Sequence, residues 1–220
     1  MSGVRVRRAG KERRTRAVDA AIDVLAERGY EHTRFADVSA ICEVAISTLQ
    51  CYFGSREDMV IEALRRAIEL DVLAIEEIAA AEPHPWRRIV ALVSRSLDIS
   101  ERDRRIQLEF WRATIRDDEL REFCDGMAPR CKEPYLRAVM DGAAQGMFHI
   151  EQDPQDIVDV MKAVLCGLSH PWAAQRARPL LAGFRDVWLG QLAATLGVSG
   201  EHRIGEHRTA EHRTAESAAR

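Results

Sequence analysis

RFADVSAICEVAISTLQCYF, running from Arg34 to Phe53, decides how this chain is read. Phe35, Val38 and then Ile41 or Cys42 recur at helical spacing. Thr33, just ahead of them, suits a helix start, where its hydroxyl satisfies a free backbone N–H. Cys42-Glu43-Val44 leaves room only for a turn. A second short helix follows, with Ile46, Leu49 and Phe53 as its inward residues. Ser47, Thr48, Gln50, Cys51 and Tyr52 then fall on its other faces. A short helix, a tight turn and a second helix bearing small polar side chains is how a recognition helix is presented to the major groove. The same pattern is also that of an ordinary αα-hairpin, so the flanking sequence must decide.

Upstream, Val18, Ala21, Ile22 and Leu25 form one apolar stripe on a helix expected to begin near Glu12 or Arg13. Gly29 supplies its C-cap, and Tyr30 is placed to pack back on it. Residues 1–12 carry Arg5, Arg7, Arg8 and Lys11 and read as a flexible basic arm, suited to phosphate or minor-groove contact. Downstream, Gly54 ends the second short helix. Ser55, with Asp58 three residues on, opens a long one that meets no Gly or Pro before Pro83. A helix of that length can leave a small head and enter a second body.

The rest is helical in pattern throughout. Trp86, Ile89, Val90, Val93 and Leu97 form one stripe. Another helix covers Arg104 to Arg116, and a further one is capped by Asp117 or Asp118, with interruptions expected at Pro129 and Pro134. Asp153 caps a helix from Pro154 to His170, and the last runs from Pro179 to Leu196. Residues 199–220 contain the repeat EHRIG, EHRTA, EHRTA, polar and low in complexity, and are expected to be disordered. His202, His207 and His212 share no helix face, so no metal site is expected there.

Composition bounds the function. The 220 residues are 46% hydrophobic and 30% charged, ordinary for a globular protein. The net charge of -3 argues against a surface that binds nucleic acid everywhere, but it is compatible with a local basic patch. No apolar run approaches the roughly 18 residues of a membrane span, and no apolar stretch follows the basic start, so a cytoplasmic protein is expected. The 5 cysteines include no CxxC pair and fit reduced thiols. Cys124 and Cys131 share a helical face, as two buried thiols or as a redox pair. There is no GxSxG, no Walker A loop and no HExxH, and Asp117-Asp118-Glu119 reads as a helix N-terminus. No catalytic residues and no cofactor are expected.

Residues 13–60 resemble the DNA-binding head of the TetR family of transcriptional regulators. The resemblance rests on Ala20-Ala21, Leu25, Gly29-Tyr30, Thr33, Phe35-Ala36-Asp37-Val38, Val44, Ser47-Thr48-Leu49, Tyr52-Phe53 and Gly54-Ser55-Arg56-Glu57, in matching order and spacing. It implies a positioning helix from Thr33 to Ile41, a recognition helix from Ala45 to Cys51, and DNA contacts by Arg34, Ser47, Thr48, Gln50, Cys51 and Tyr52. Arg56 replaces the lysine that usually contacts a phosphate, and its guanidinium can do so bidentately. Three positions depart from the pattern: Glu43 replaces the turn glycine, Ala45 the capping serine and Gln50 a frequent tyrosine. Leu108-Glu109-Phe110-Trp111, Asp117-Asp118-Glu119-Leu120, Gly142 to Phe148 and Asp153-Pro154 look like the BetI-type subgroup.

These readings predict an all-α chain. Residues 1–12 form an arm, 13–60 a three-helix helix-turn-helix head, 61–198 an all-helical ligand-binding and dimerisation body entered through the long helix, and 199–220 a tail. The expected function is a ligand-responsive repressor that binds a palindromic operator in double-stranded DNA as a homodimer. A small-molecule effector releases it, and it has no membrane partner. The dimer interface is expected on residues 155–170 and 179–196. Trp86, Phe110, Trp111, Met127, Met147, Phe148 and Trp172 are candidates for an apolar effector pocket, with a cationic ligand in an aromatic cage as one form of it; the same residues equally suit plain core. The alternatives are a helical protein-interaction module and a DNA-binding protein without an effector.

Overall fold

A computed structural model describes the backbone of residues 2–167 and 171–198, and the side chains of 10–167 and 183–198. Among the described residues the regular structure is helical: α1 (Ser2–Arg28), a 3₁₀ turn (Tyr30–His32), α2 (Phe35–Cys42), α3 (Ile46–Phe53), α4 (Arg56–Ala81), α5 (Pro85–Leu97), α6 (Glu101–Thr114), α7 (Asp118–Ala144), α8 (Pro154–Gly167) and α9 (Pro171–Thr195). The expected disordered tail, and the side chain of Trp172, lie outside the described residues.

Several helix starts are made by side chains that satisfy orphan N–H groups. Ser55 and Asp58 form a reciprocal box: the Asp58 N–H donates to Ser55 Oγ at 3.0 Å, and the Ser55 N–H donates to Asp58 Oδ2 at 3.3 Å. Ser100 Oγ accepts from the Asp103 N–H, Asp117 from Leu120 and Asp153 from Gln155. Asp117, rather than Asp118, is therefore the cap of α7.

Three boundaries differ from the sequence expectation. α1 begins at Ser2 rather than near residue 12, so the stretch read as a flexible arm is helical. Gly3 and Gly10 in it are poor helix formers, at about 1 kcal/mol each in a helix interior, and no proline stops the helix. α7 runs unbroken through Pro129 and Pro134. Each proline removes one hydrogen bond, to the carbonyls of Asp125 and Arg130, and both of those residues are exposed, where water can replace it. Burial of Pro134, Tyr135, Ala138 and Val139 just beyond holds the helix together. α9 starts at Pro171, with Pro179 inside it rather than at its head.

The chain divides into two compact units, and the division does not fall at residues 60 and 61. The first unit takes residues up to 74 together with 99–131, and the second takes 75–98 with residues from 132 onward. In the first, Leu25, Val38, Leu49, Met59 and Leu64 share a core with Ile106, Phe110 and Leu120. α6 and the first half of α7 thus belong to the same core as the helix-turn-helix, because their apolar stripes are buried on α1 and α4.

In the second unit Trp86, Ile89, Leu92 and Val93 of α5 pack with Tyr135, Val139, Met161 and Leu196. The Tyr135 hydroxyl donates to the Leu92 carbonyl at 3.3 Å and lies 3.1 Å from Ser96 Oγ. Arg88 fastens the turn before α5. It donates to the Glu82 and Pro83 carbonyls and pairs with Asp141 at 2.8 Å.

Gly142 faces the Phe148 ring so closely that a Cβ there would stand 2.1 Å from it. Gly142→Ala should therefore lower the melting temperature by several degrees, since overpacking of about 1–3 kcal/mol outweighs the helix-propensity gain. Adding Phe148→Leu should recover part of that loss in the same thermal melts.

Candidate nucleic-acid interface

α1 ends where the Gly29 N–H donates to the Leu25 carbonyl at 2.8 Å. Gly29 then turns at φ 78, ψ 172, a region only glycine occupies without strain. Thr33 is fully buried. It does not cap α2: its hydroxyl donates backwards to the Gly29 carbonyl at 2.8 Å, and Arg34 occupies the N-cap position without a side-chain hydrogen bond. Arg28 pairs with Asp37 at 2.7 Å and ties the end of α1 to α2.

The turn between α2 and α3 is the strained point of the head. Glu43 sits in the left-handed region at φ 56, ψ 31, with its N–H donating to the Ser39 carbonyl. A side chain there costs about 1–2 kcal/mol that glycine would not. Ala45 is the N-cap of α3 and has no side-chain oxygen to offer, so that start is uncapped.

On α3, Leu49 and Phe53 are buried and Thr48 and Tyr52 half-buried, while Ser47, Gln50 and Cys51 are exposed. Arg34 is also exposed and has no partner among the described residues. Ile46 is not inward: it is 43% exposed. Its angle on the helix matches that of Leu49 and Phe53, but it is the first residue of α3 and lies beyond the end of the core.

Arg56 stands apart from the other candidates. Its Nη1 donates to the Tyr30 carbonyl at 2.6 Å and to the Thr33 carbonyl at 3.5 Å. The guanidinium also stacks 5.3 Å from the Tyr30 ring centroid and pairs with Glu57 at 2.8 Å. It is engaged inside the head rather than held out toward solvent. Burial pushes the Tyr30 phenol above its ordinary value, with Arg56 pulling the other way. A backbone N–H at the start of α4, and then Arg56, hold Glu57 below the usual carboxylate range.

Of the seven pocket candidates, all but Trp172 have described side chains. Trp86, Met147 and Phe148 belong to the core of the second unit and Phe110 to that of the first, while Met127 is half-buried and Trp111 is 44% exposed. A groove of about 580 Å³ lies in the first unit, lined by Arg28, Tyr30, Ile61, Glu109, Arg112 and Arg116 among others, and none of the six described candidates lines it. Among the described residues no His, Cys, Asp and Glu group is placed to hold a metal. No described helix is long and apolar enough to cross a membrane.

Comparison with known proteins bears on both units. Residues 17–63 match the family model for bacterial regulatory proteins of the tetR family. Residues 85–197 match that for the C-terminal part of BetI-type transcriptional repressors. The HTH-type transcriptional repressor KstR of Rhodococcus jostii is 38% identical over 190 residues, covering 86% of this chain and 74% of that protein. KstR of Mycolicibacterium smegmatis is 26% identical over 151 residues, 68% of this chain and 74% of that one. Among solved structures, a transcriptional regulator from Saccharomonospora viridis in complex with choline superposes with a TM-score of 0.72 at 22% identity, covering 84% of this chain and 96% of its own. FadR from Bacillus subtilis in complex with stearoyl-CoA gives 0.65 at 18% identity, covering 82% and 98%. At those identities the structures show a shared fold.

The two backbone features of the turn make a direct prediction. Glu43→Gly and Ala45→Ser should each stabilise the protein by about 1 kcal/mol, the first by removing left-handed strain and the second by restoring a cap. Thermal melts should show each as a rise of about 2–4 °C for a chain of this size.

Proposed function

The chain belongs to the TetR family of transcriptional regulators, and on that premise we propose that it is a repressor that grips a palindromic operator as a homodimer and lets go when a small molecule binds. The observation that carries the DNA-binding part is the exposed polar face of α3, Ser47, Gln50 and Cys51, presented from a packed helix-turn-helix beside an exposed Arg34. N-terminal residues of such a helix meet base edges, while Arg and Lys around it meet phosphates.

Dimerisation through the last two helices is supported by what they leave uncovered. On α8, Val160 and Ala163 are exposed, and on α9 Gly183, Val187 and Gly190 are exposed at helical spacing, with Val160 at 61% and Val187 at 64%. Such a face allows close approach of a second copy, and a two-fold pair reads a pseudo-palindrome.

Effector control is supported by α6. Ile106, Phe110 and Ala113 are buried in the same core as the helix-turn-helix. A ligand that shifted α6 would re-aim the head, and differential affinity for the two arrangements would release the DNA. The relatives solved with choline and with stearoyl-CoA are the reason for starting with those two probes.

Footprinting of purified protein on DNA around its own gene should show a protected, roughly two-fold symmetric site, and light scattering should give a dimer that Val187→Glu converts to monomer. Absence of any protected site would sink the regulator reading. Calorimetric titration with choline and with stearoyl-CoA, followed by addition to the preformed complex, tests the effector.

Arg56 adds a sharper test. Arg56→Gln should weaken operator binding by loosening the connector before α2, yet leave the dependence of log K on log salt unchanged. A phosphate contact at Arg56 would instead lower that slope by about 0.9 for each head.

A further inference from the structure

The exposed face of α3 carries no charge. The helix reads ISTLQCYF, and its exposed residues are Ile46, Ser47, Gln50 and Cys51. The commonest specific contact to DNA, Arg or Lys forked onto guanine O6 and N7, is therefore not available from this helix. What remains is an amide, a branched hydrocarbon, a hydroxyl and a thiol, of which the first two carry a base preference. Glutamine pairs bidentately with adenine N6 and N7, and an apolar side chain reads the C5-methyl group of thymine.

Lone exposed hydrophobics are common on protein surfaces and mean nothing singly. Ile46 differs in its place. It opens the first turn of the recognition helix, the turn that reaches base edges. Gln50 follows four residues later on the same face. Ile46 is also β-branched and stiff, so little rotamer freedom is lost on contact.

Resting on the regulator reading above, we propose that Ile46 is a specificity-determining residue that packs on the C5-methyl of a thymine in each operator half-site. The base pairs beneath α3 are accordingly A·T, the thymine read by Ile46 and an adenine by Gln50. Forked guanine contacts by arginine or lysine, where present, come from outside α3.

The test starts with selection of bound sequences from a random duplex pool by the full-length protein. The enriched half-site is then scanned by replacing each thymine with deoxyuridine, which removes only the methyl group. The expected result is one thymine per half-site whose replacement weakens binding about four-fold, the effect of burying a single methyl-sized group. Ile46→Ala should bind more weakly and show no further loss at that deoxyuridine. Because Ile46 is outside the core, the variant should melt with the wild type.

The proposal is overturned if no thymine in the enriched site responds to deoxyuridine. It is equally overturned if Ile46→Ala responds as strongly as the wild type. A pool that enriches no sequence at all brings down the regulator reading itself, and the thymine contact with it. Enrichment without methyl dependence leaves the regulator reading standing and removes only the role of Ile46.

Discussion

One guanidinium holds the head in register. Arg56, at the first turn of α4, reaches back to the carbonyls of Tyr30 and Thr33 and lies against the Tyr30 ring. Those two carbonyls belong to the connector between α1 and α2, a segment too short to satisfy itself. The Thr33 hydroxyl closes the same segment from within by donating to the Gly29 carbonyl. An arginine suits this position because its fork can meet two acceptors while its plane stacks on an aromatic face. Its hydrogen bonds fix the orientation of the start of α4 against the connector, which apolar contacts alone do poorly.

Around that tie the first unit is built as one core rather than as a head with a body attached. Phe110 and Leu120 are as much a part of it as Leu25 and Leu49. Arg14 reinforces the arrangement by pairing with Glu62 while lying over the Phe53 ring. The recognition helix therefore takes its aim from α1, α4 and α6 together. Close packing transmits displacement rather than absorbing it, so the helix furthest from the turn in sequence is still mechanically connected to it.

Much of this was written in the sequence in local terms. The Ser55–Asp58 box and the stripe of α1 follow from neighbours a few residues apart, while the uncapped Ala45 and the side chain at the turn residue Glu43 follow from departures from the family pattern. What was not legible depended on position along an axis or on distant partners. Helical spacing gives Ile46 the right angle for burial but cannot tell that the core ends before it. Thr33 has the chemistry of a cap, and only the fold shows that a buried carbonyl competes for its hydroxyl. Pro129 and Pro134 looked like stops because a proline's cost is local, whereas the burial that offsets it comes from the second unit's core. Residue type alone gathered Trp86, Phe110 and Trp111 into one pocket, and the fold sends them to two cores and the surface.

The uncharged face of α3 has a consequence for behaviour in a cell. On the proposed contacts, ionic ones made by arginines and lysines elsewhere set how tightly any DNA is held, and they weaken together as salt rises. Contacts made by an isoleucine and a glutamine displace few counterions. On that proposal, changes in ionic strength scale the affinity for every site by a common factor and leave the order of preference among sites intact. The division of labour between helix and surroundings makes selectivity a property independent of the medium, while residence on DNA remains tunable by it.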